Sequence, residues 1–303
     1  MRERVLVTGA SGQVGFELAR AFSFCGDVLT PSRQTLNLAD TQAVSQYLSD
    51  YQPSVILNAA AYTAVDQAER EPDACYRLNA TLPRVLADYV KQQAEQGRNV
   101  TLVHFSSDYV YPGNGDEPWQ ETSAMGPLSV YGQSKLAGDE AIQQRLHGAR
   151  FYILRTSWVY SARGQNFMKT MLRLGKERSA LSVVNDQVGA PTTARLLAQL
   201  SVALVRQQVP SGIYHAAPRG ETSWCDFAKR IFELSEGRTE LAIKASDVTG
   251  IPTRDYPTPA TRPLNSRMNV SKIEQALGIE LPHWESELAL TLDEYLGVLN
   301  RGV

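Results

Sequence analysis

The chain has 303 residues, 43% of them hydrophobic and 20% charged, with a formal net charge of −2. A chain of this length can bury about three-quarters of its unfolded surface, enough for one large domain or two smaller ones. The balanced charge argues against a nucleic-acid or anionic-membrane surface, and no apolar run approaches the ~18 residues of a membrane span.

Val5-Leu6-Val7 reads as a short buried strand running straight into Gly9-Ala-Ser-Gly12-Gln-Val-Gly15, and no signal-peptide pattern precedes it. The periodic stretch from Gln13 to Phe24 predicts a helix, and Val28-Leu29 a second strand. Asp40 can cap a helix through Leu48, and Val55-Ile56-Leu57 forms a third strand ending at Asn58-Ala-Ala-Ala61. A helical region from about Pro72 to Gln96 leads to a fourth strand, Val100-Thr-Leu-Val103, which delivers Ser106 and Ser107. A Gly- and Pro-rich loop, 112–127, precedes a helix that opens with Tyr131, and Phe151-Tyr-Ile-Leu154 is a fifth strand. Strands alternating with helices imply an α/β fold: a Rossmann-like, doubly wound parallel sheet with ligands at the carboxyl ends of its strands.

After about Ser161 the rhythm loosens. Short strands at Leu181–Val184 and Gly212–Tyr214 separate helices, and a turn-rich stretch runs from Gly250 to Pro263. The expected organisation is a dinucleotide-binding domain over residues 1–160, to which the chain crosses back near 185–215, and a smaller C-terminal lobe over 161–303 that mainly binds substrate. Cys25, Cys75 and Cys225 are odd in number and far apart, so neither a disulfide framework nor a zinc site is suggested, and a cytoplasmic location is the default. His104, His147, His215 and His283 lack ligand spacing and read as structural. The acidic stretch from Asp66 to Asp73 reads as a solvated helical face.

The chemistry is carried by Tyr131-Gly-Gln-Ser-Lys135. On a helix the two side chains lie one turn apart on one face. The Lys135 ammonium is expected to favour the phenolate and draw the Tyr131 pKa down from about 10, making Tyr131 a proton donor near neutral pH. A serine hydroxyl at a strand end can hold the carbonyl oxygen that takes this proton. The pair alone is weak, since an exposed helix would place a Tyr on a Lys stem just as well. Order and context favour a carbonyl reductase: glycine loop, then strand-end serines, then the Tyr-Lys helix.

The spacing of Gly9, Gly12 and Gly15, with Gln13 and Val14 between them, suits a dinucleotide pyrophosphate at a helix N-terminus. An NAD-selective site carries an acid at the tip of the second strand. Here the tip is Thr30-Pro-Ser32-Arg33, and Ser32 with Arg33 can hold a 2′-phosphate, so NADPH is favoured over NADH.

These residues and several longer segments resemble the extended short-chain dehydrogenase/reductases. The segments are Asn58-Ala-Ala-Ala-Tyr-Thr-Ala-Val-Asp66, Ser106-Ser-Asp-Tyr-Val-Tyr-Pro-Gly113, Pro118-Trp-Gln-Glu-Thr122, Arg155-Thr-Ser-Trp-Val-Tyr160, Asn185-Asp-Gln-Val-Gly-Ala-Pro-Thr192 and Tyr256-Pro-Thr-Pro-Ala-Thr-Arg-Pro263. The likeness is strongest to the branch that reduces the C4 ketone of dTDP-4-dehydro-L-rhamnose to dTDP-L-rhamnose, and it runs nearly end to end. It implies a catalytic trio of Ser107, Tyr131 and Lys135, with Ser107 where members often carry Thr, and a second role for Lys135 on the nicotinamide ribose. It implies cofactor contacts at Ala61, Tyr62, Thr63 and Phe105, and at Asn37 and Leu38, although Asn37 stands where Asp is common. It places Asp108 and Trp158 on the deoxysugar and Arg262 on the diphosphate; without the resemblance, Trp158 reads as core and Arg262 as a surface ion pair.

Some members are described as dimers bridged by Mg²⁺ through carboxylates. Glu17 matches one such position, but Arg195 stands at the other, so no bridging metal is expected, while a homodimer built on helix packing stays open. Two other readings compete. A sugar-nucleotide dehydratase or epimerase shares the Tyr-Lys pair, but the dehydratases carry Asp-Glu where this chain has Asp108-Tyr109. A non-catalytic NADP-binding regulatory subunit, like the beta subunit of methionine adenosyltransferase, resembles the same family; an intact Ser107, Tyr131 and Lys135 argue for an enzyme.

Overall fold

The computed structural model of the chain describes residues 3–238 and 241–300. Its centre is a six-stranded, wholly parallel sheet in the order β10-β5-β4-β3-β1-β2. The strands are β1 (Glu3–Thr8), β2 (Gly26–Leu29), β3 (Val55–Asn58), β4 (Thr101–Ser107), β5 (Arg150–Thr156) and β10 (Gly212–His215). Successive side chains alternate between two cores, as the strand period of two requires. Val5, Val7, Val55, Leu57, Val103, Tyr152 and Leu154 meet α1 (Gln13–Phe22), α8 (Ala194–Gln207) and α10 (Ser271–Leu277). Leu6, Ile56, Leu102 and Ile153 face the other way, onto α2 (Thr41–Tyr51), α5 (Leu82–Glu95) and α6 (Val130–Arg145).

Strand order reverses at β1, with β2 on one side and β3 on the other. The crevice beyond their carboxyl ends is therefore the place for a ligand in such a sheet.

Two helix readings are corrected. The first helix stops at Phe22 rather than Phe24; the Cys25 amide turns back onto the Phe22 carbonyl at 2.8 Å, and Phe24 is left 74% exposed. The helical region from Pro72 is not one regular helix. It passes from α4 (Pro72–Tyr76) through a π-helical turn, Arg77–Thr81, into α5. Gly212–Tyr214 lies in the stretch, 185–215, over which the chain is expected to return to the first domain. The strand it forms is the sixth of the main sheet, paired with β5 through Gly212–Tyr152 and Tyr214–Leu154, and α8 leads into it.

A third core joins Tyr160, Met168, Leu172, Val183, Phe227, Ile231, Trp284 and Leu288 from β6 (Val159–Tyr160), α7 (Phe167–Glu177), β7 (Ala180–Val184), α9 (Trp224–Glu233) and α11 (Trp284–Asn300). Beside it, β11 (Thr222–Ser223), β8 (Val188–Gly189) and β13 (Asn265–Ser266) form a small three-stranded sheet. Among the described residues no helix is long and apolar enough to cross a membrane.

Candidate active site

A cleft of about 1060 Å³ opens at the carboxyl ends of the main strands, where the sequence places its candidate residues. The glycine loop forms one end. Gly15 faces away from the cleft: a Cβ there would lie 2.2 Å from the Gly9 carbonyl oxygen, so its absence lets α1 start against the loop. Gly12 caps α1 without a side chain, and no acid lies in the first turn. The first backbone N–H groups of α1 are thus available to an anion. Gly9, Gly12, Gln13 and Val14 line this end; Ser32, Arg33, Asn37 and Leu38 line the wall beyond β2. The Asn37 amide oxygen accepts from the Ala39 N–H at 3.1 Å.

Ala61, Thr63 and Phe105 also face the cleft. Tyr62 does not. Its hydroxyl donates to Glu71 Oε2 at 2.8 Å, and its backbone is clasped on both sides by the Asn79 side chain, at 2.8 and 3.0 Å.

Ser107, Tyr131 and Lys135 converge at the middle of the cleft. The register of the sheet sets Ser107 at the last residue of β4, and α6 presents Tyr131 and Lys135 from its first two turns. Two caps fix the start of α6: Ser129 Oγ accepts from the Gly132 N–H at 3.2 Å, and Glu69 Oε1 accepts from the Val130 N–H at 2.9 Å. Ser107 Oγ donates to Asp108 Oδ1 at 3.0 Å and accepts from the Tyr109 N–H. The other Asp108 oxygen accepts from Ser266 Oγ at 2.5 Å. Burial pushes the Asp108 carboxyl up to about 6, against the hydrogen bonds from Ser266 and Ser107.

The expected drop in the Tyr131 pKa is not found. Burial raises it above the ordinary phenol value, only partly offset by the Ser107 hydroxyl. Lys135 Nζ instead donates to the Phe105 carbonyl at 2.5 Å. Burial draws the Lys135 ammonium down to about 8, with the Asp139 carboxylate one turn further along α6 opposing the fall. In both groups desolvation outweighs the interactions that oppose it. Tyr131 therefore keeps its proton at neutral pH, which is the form a proton donor needs.

Asp108 and Trp158 line the cleft; Arg262 does not. Its guanidinium donates to Asp66 Oδ2 at 2.8 Å. The acidic stretch 66–73 is accordingly more than a solvated face, since Asp66, Glu69 and Glu71 each hold a segment beside the cleft. His104 and His215 are fully buried, hydrogen-bonded to Asn58 and Tyr111, and kept neutral by desolvation. Among the described residues no group of three His, Cys, Asp or Glu side chains could hold a metal ion. Trp224 and Gln165 also line the cleft. Sequence reasoning missed both, because neither sits in a segment whose spacing signals a site.

Known proteins resemble this chain over nearly its whole length. The family model described as the RmlD substrate binding domain matches residues 2–296. The chain is 43% identical over 298 residues to dTDP-4-dehydrorhamnose reductase of Shigella flexneri, covering 96% of this chain and 97% of that protein. Its identity to dTDP-4-dehydrorhamnose reductase of Escherichia coli K12 is 42% over 299 residues, with the same shares covered. Among solved structures, dTDP-4-dehydrorhamnose reductase from Bacillus anthracis in complex with NADP is similar at a TM-score of 0.88 and 34% identity, over 97% of this chain and 100% of that one. With a sequence and an overall fold that match theirs over nearly the whole length, the chain belongs to the RmlD family, that of the dTDP-4-dehydrorhamnose reductases.

Proposed function

We propose that this chain reduces the C4 ketone of dTDP-4-dehydro-L-rhamnose to dTDP-L-rhamnose, taking NADPH in preference to NADH. The observation that carries the reading is the meeting of Ser107, Tyr131 and Lys135 in one cleft with the glycine loop at its end and Trp158 in its wall. The activity named for the relatives and the NADP held by the Bacillus anthracis structure support it.

The residues fit such a dinucleotide. The glycine loop, held against α1 by the close packing of Gly15 on Gly9, and the start of α1 with no side-chain cap suit its diphosphate, and Arg33 suits a 2′-phosphate. When bound, NADPH supplies the hydride. Tyr131 donates its phenolic proton to the ketone oxygen, and Ser107 holds that oxygen once its hydroxyl turns away from Asp108. The Lys135 ammonium stabilises the charge left on Tyr131 and holds the nicotinamide ribose. Asp108 and Trp158 take the sugar, and Arg262 takes the diphosphate of the nucleotide. In this division residues 1–160, with the return near 185–215, hold the cofactor, and 161–303 mainly supply the substrate wall.

Where related dehydratases place a second carboxylate, this chain has Tyr109, whose ring packs edge-on against Tyr131 at 5.4 Å. No acid is supplied there to expel water, which favours reduction over dehydration. The test is oxidation of NADPH by the purified chain with dTDP-4-dehydro-L-rhamnose, followed by identification of the sugar formed. Turnover to dTDP-L-rhamnose is expected; NADPH binding without turnover would point to the regulatory-subunit reading.

A further inference from the structure

Trp158 holds a backbone conformation rare for a residue with a Cβ, at φ +50°. Such strain persists only where the surroundings over-determine it. Here its indole lies flat on that of Trp224, ring centroids 3.7 Å apart and planes 15° from parallel. Both rings are half-buried, and both line the cleft with Ser107, Asp108 and Tyr131. They come from distant parts of the chain. Trp158 follows β5 of the main sheet, whereas Trp224 opens α9 and packs on Phe167 at 4.6 Å.

Trp224 is itself held. Its Nε1–H donates to Gln187 Oε1 at 3.2 Å, and Gln187 Nε2 donates to Thr253 Oγ1 at 3.0 Å. Thr253 in turn donates to Asp186 from its hydroxyl at 2.6 Å and its backbone N–H at 2.9 Å. Two residues beyond Gln187, Gly189 makes room for the other indole. A Cβ there would lie 3.3 Å from Cε2 and Cζ2 of Trp158 and 2.9 Å from Cβ of Ser266. Gly189 belongs to β8, the middle strand of the small sheet; Ser266 in β13 donates to Asp108, and β11 runs directly into Trp224. One small sheet therefore sets both Asp108 and the Trp158–Trp224 stack, which gives the Asn185–Thr192 segment a role that its sequence alone did not.

We infer that Trp224, tethered through Gln187, is a positioning residue: it fixes the Trp158 indole as the wall against which the sugar ring lies while Tyr131 protonates the ketone oxygen. An aromatic face suits the apolar C–H surface of a 6-deoxyhexose, and its angle decides where the ketone sits. The inference rests on the functional reading above.

Trp224→Leu removes the stack, Trp224→Phe keeps an aromatic face without the N–H donor, and Gln187→Leu removes the tether while leaving both indoles. In the ligand-free protein the indole pair should give an exciton couplet in circular dichroism that Trp224→Leu abolishes and Gln187→Leu alters. Trp224→Leu should raise the KM for dTDP-4-dehydro-L-rhamnose roughly tenfold, the scale of one lost aromatic stack, and leave the KM for NADPH unchanged. Trp224→Phe should restore most of that loss. If Trp224→Leu fails to fold, Gln187→Leu carries the test, with a smaller rise for the sugar nucleotide alone. An unchanged sugar KM, or equal rises for sugar and NADPH, would overturn the inference while leaving the functional reading intact. Absence of turnover by the unsubstituted chain would overturn both, and it is read before any variant.

Discussion

The carboxylate of Asp66 accepts from Arg262 at 2.8 Å and from the Ala260 N–H at 3.1 Å. One side chain next to the main sheet thus staples the turn-rich 256–263 loop beside the cleft, across 196 residues of sequence. The arginine is 18% exposed and its partner 39%, so the pair is worth little to the fold but fixes where a cation stands. Arg262→Ala should raise the KM for the sugar nucleotide by roughly tenfold or more, the loss of one charge-assisted contact, with the KM for NADPH unchanged. Asp66→Ala should act in the same direction and more weakly. Steady-state kinetics against both substrates checks this, and a parallel loss for NADPH would count against a diphosphate role.

Tyr131→Phe removes the phenolic proton while keeping the ring that packs against Tyr109. It should bind NADPH normally by fluorescence titration yet lose kcat by roughly 10²- to 10⁴-fold, the usual share of general acid catalysis. A variant with near-normal kcat would remove Tyr131 from the reaction.

The pH dependence follows from Lys135, whose ammonium burial brings down to about 8. It is charged below that value and neutral above it. Tyr131 titrates at higher pH than ordinary phenols, so its proton is still in place when Lys135 loses its own. If the reaction needs the cation, kcat/KM stays level at neutral pH and falls as pH rises through about 8, with the slope of a single proton. In Lys135→Met both this limb and most of the rate should disappear. A profile level to pH 10, the ordinary phenol range, would show that the ammonium charge is not used.

The central strands were legible because Val5-Leu6-Val7, Val55-Ile56-Leu57 and Phe151-Tyr-Ile-Leu154 are apolar runs bounded by turn residues, as strands buried on both faces must be. The glycine loop, Ser107 and the Tyr131-Lys135 pair were legible because their chemistry depends on local spacing. Contacts between distant segments were not. Asp66 with Arg262, and Trp158 with Trp224, meet only once the C-terminal segments pack against the main sheet, and no periodicity encodes that. The direction of the Tyr131 shift was missed for a related reason: the motif shows the neighbouring charge but not the burial, and burial is the larger effect. Gly212–His215 is too short to declare its sheet; only pairing with β5 assigns it to the main one.

Arg33 lines the cleft beside Ser32, is exposed, and has no acidic partner among the described residues. Among the described residues no carboxylate competes for its guanidinium, which leaves it to a 2′-phosphate. Arg33→Ala should weaken NADPH binding by roughly ten- to a hundredfold and leave NADH nearly unchanged. Titration with both cofactors measures this; equal losses would show that Arg33 does not read the 2′-phosphate.

Arg195 stands 3.6 Å from Glu17 Oε2 and 2.6 Å from Glu294 Oε2, and Arg20 approaches Glu294 at 3.5 Å. The carboxylates that would attract a divalent ion are thus already neutralised from within the chain. Mg²⁺ requires oxygen donors, and a guanidinium among them repels it. EDTA should therefore change neither the activity nor the sedimentation of the purified protein, whatever its oligomeric state. The converse is sharper. Arg195→Glu would set a third carboxylate beside Glu17 and Glu294, and like charges at that spacing raise each other's pKa and strain the packing of α1, α8 and α11. That variant should melt below the parent in EDTA and recover with added Mg²⁺. A parent protein that dissociates on chelation and reassembles with Mg²⁺ would prove the reading of Arg195 wrong.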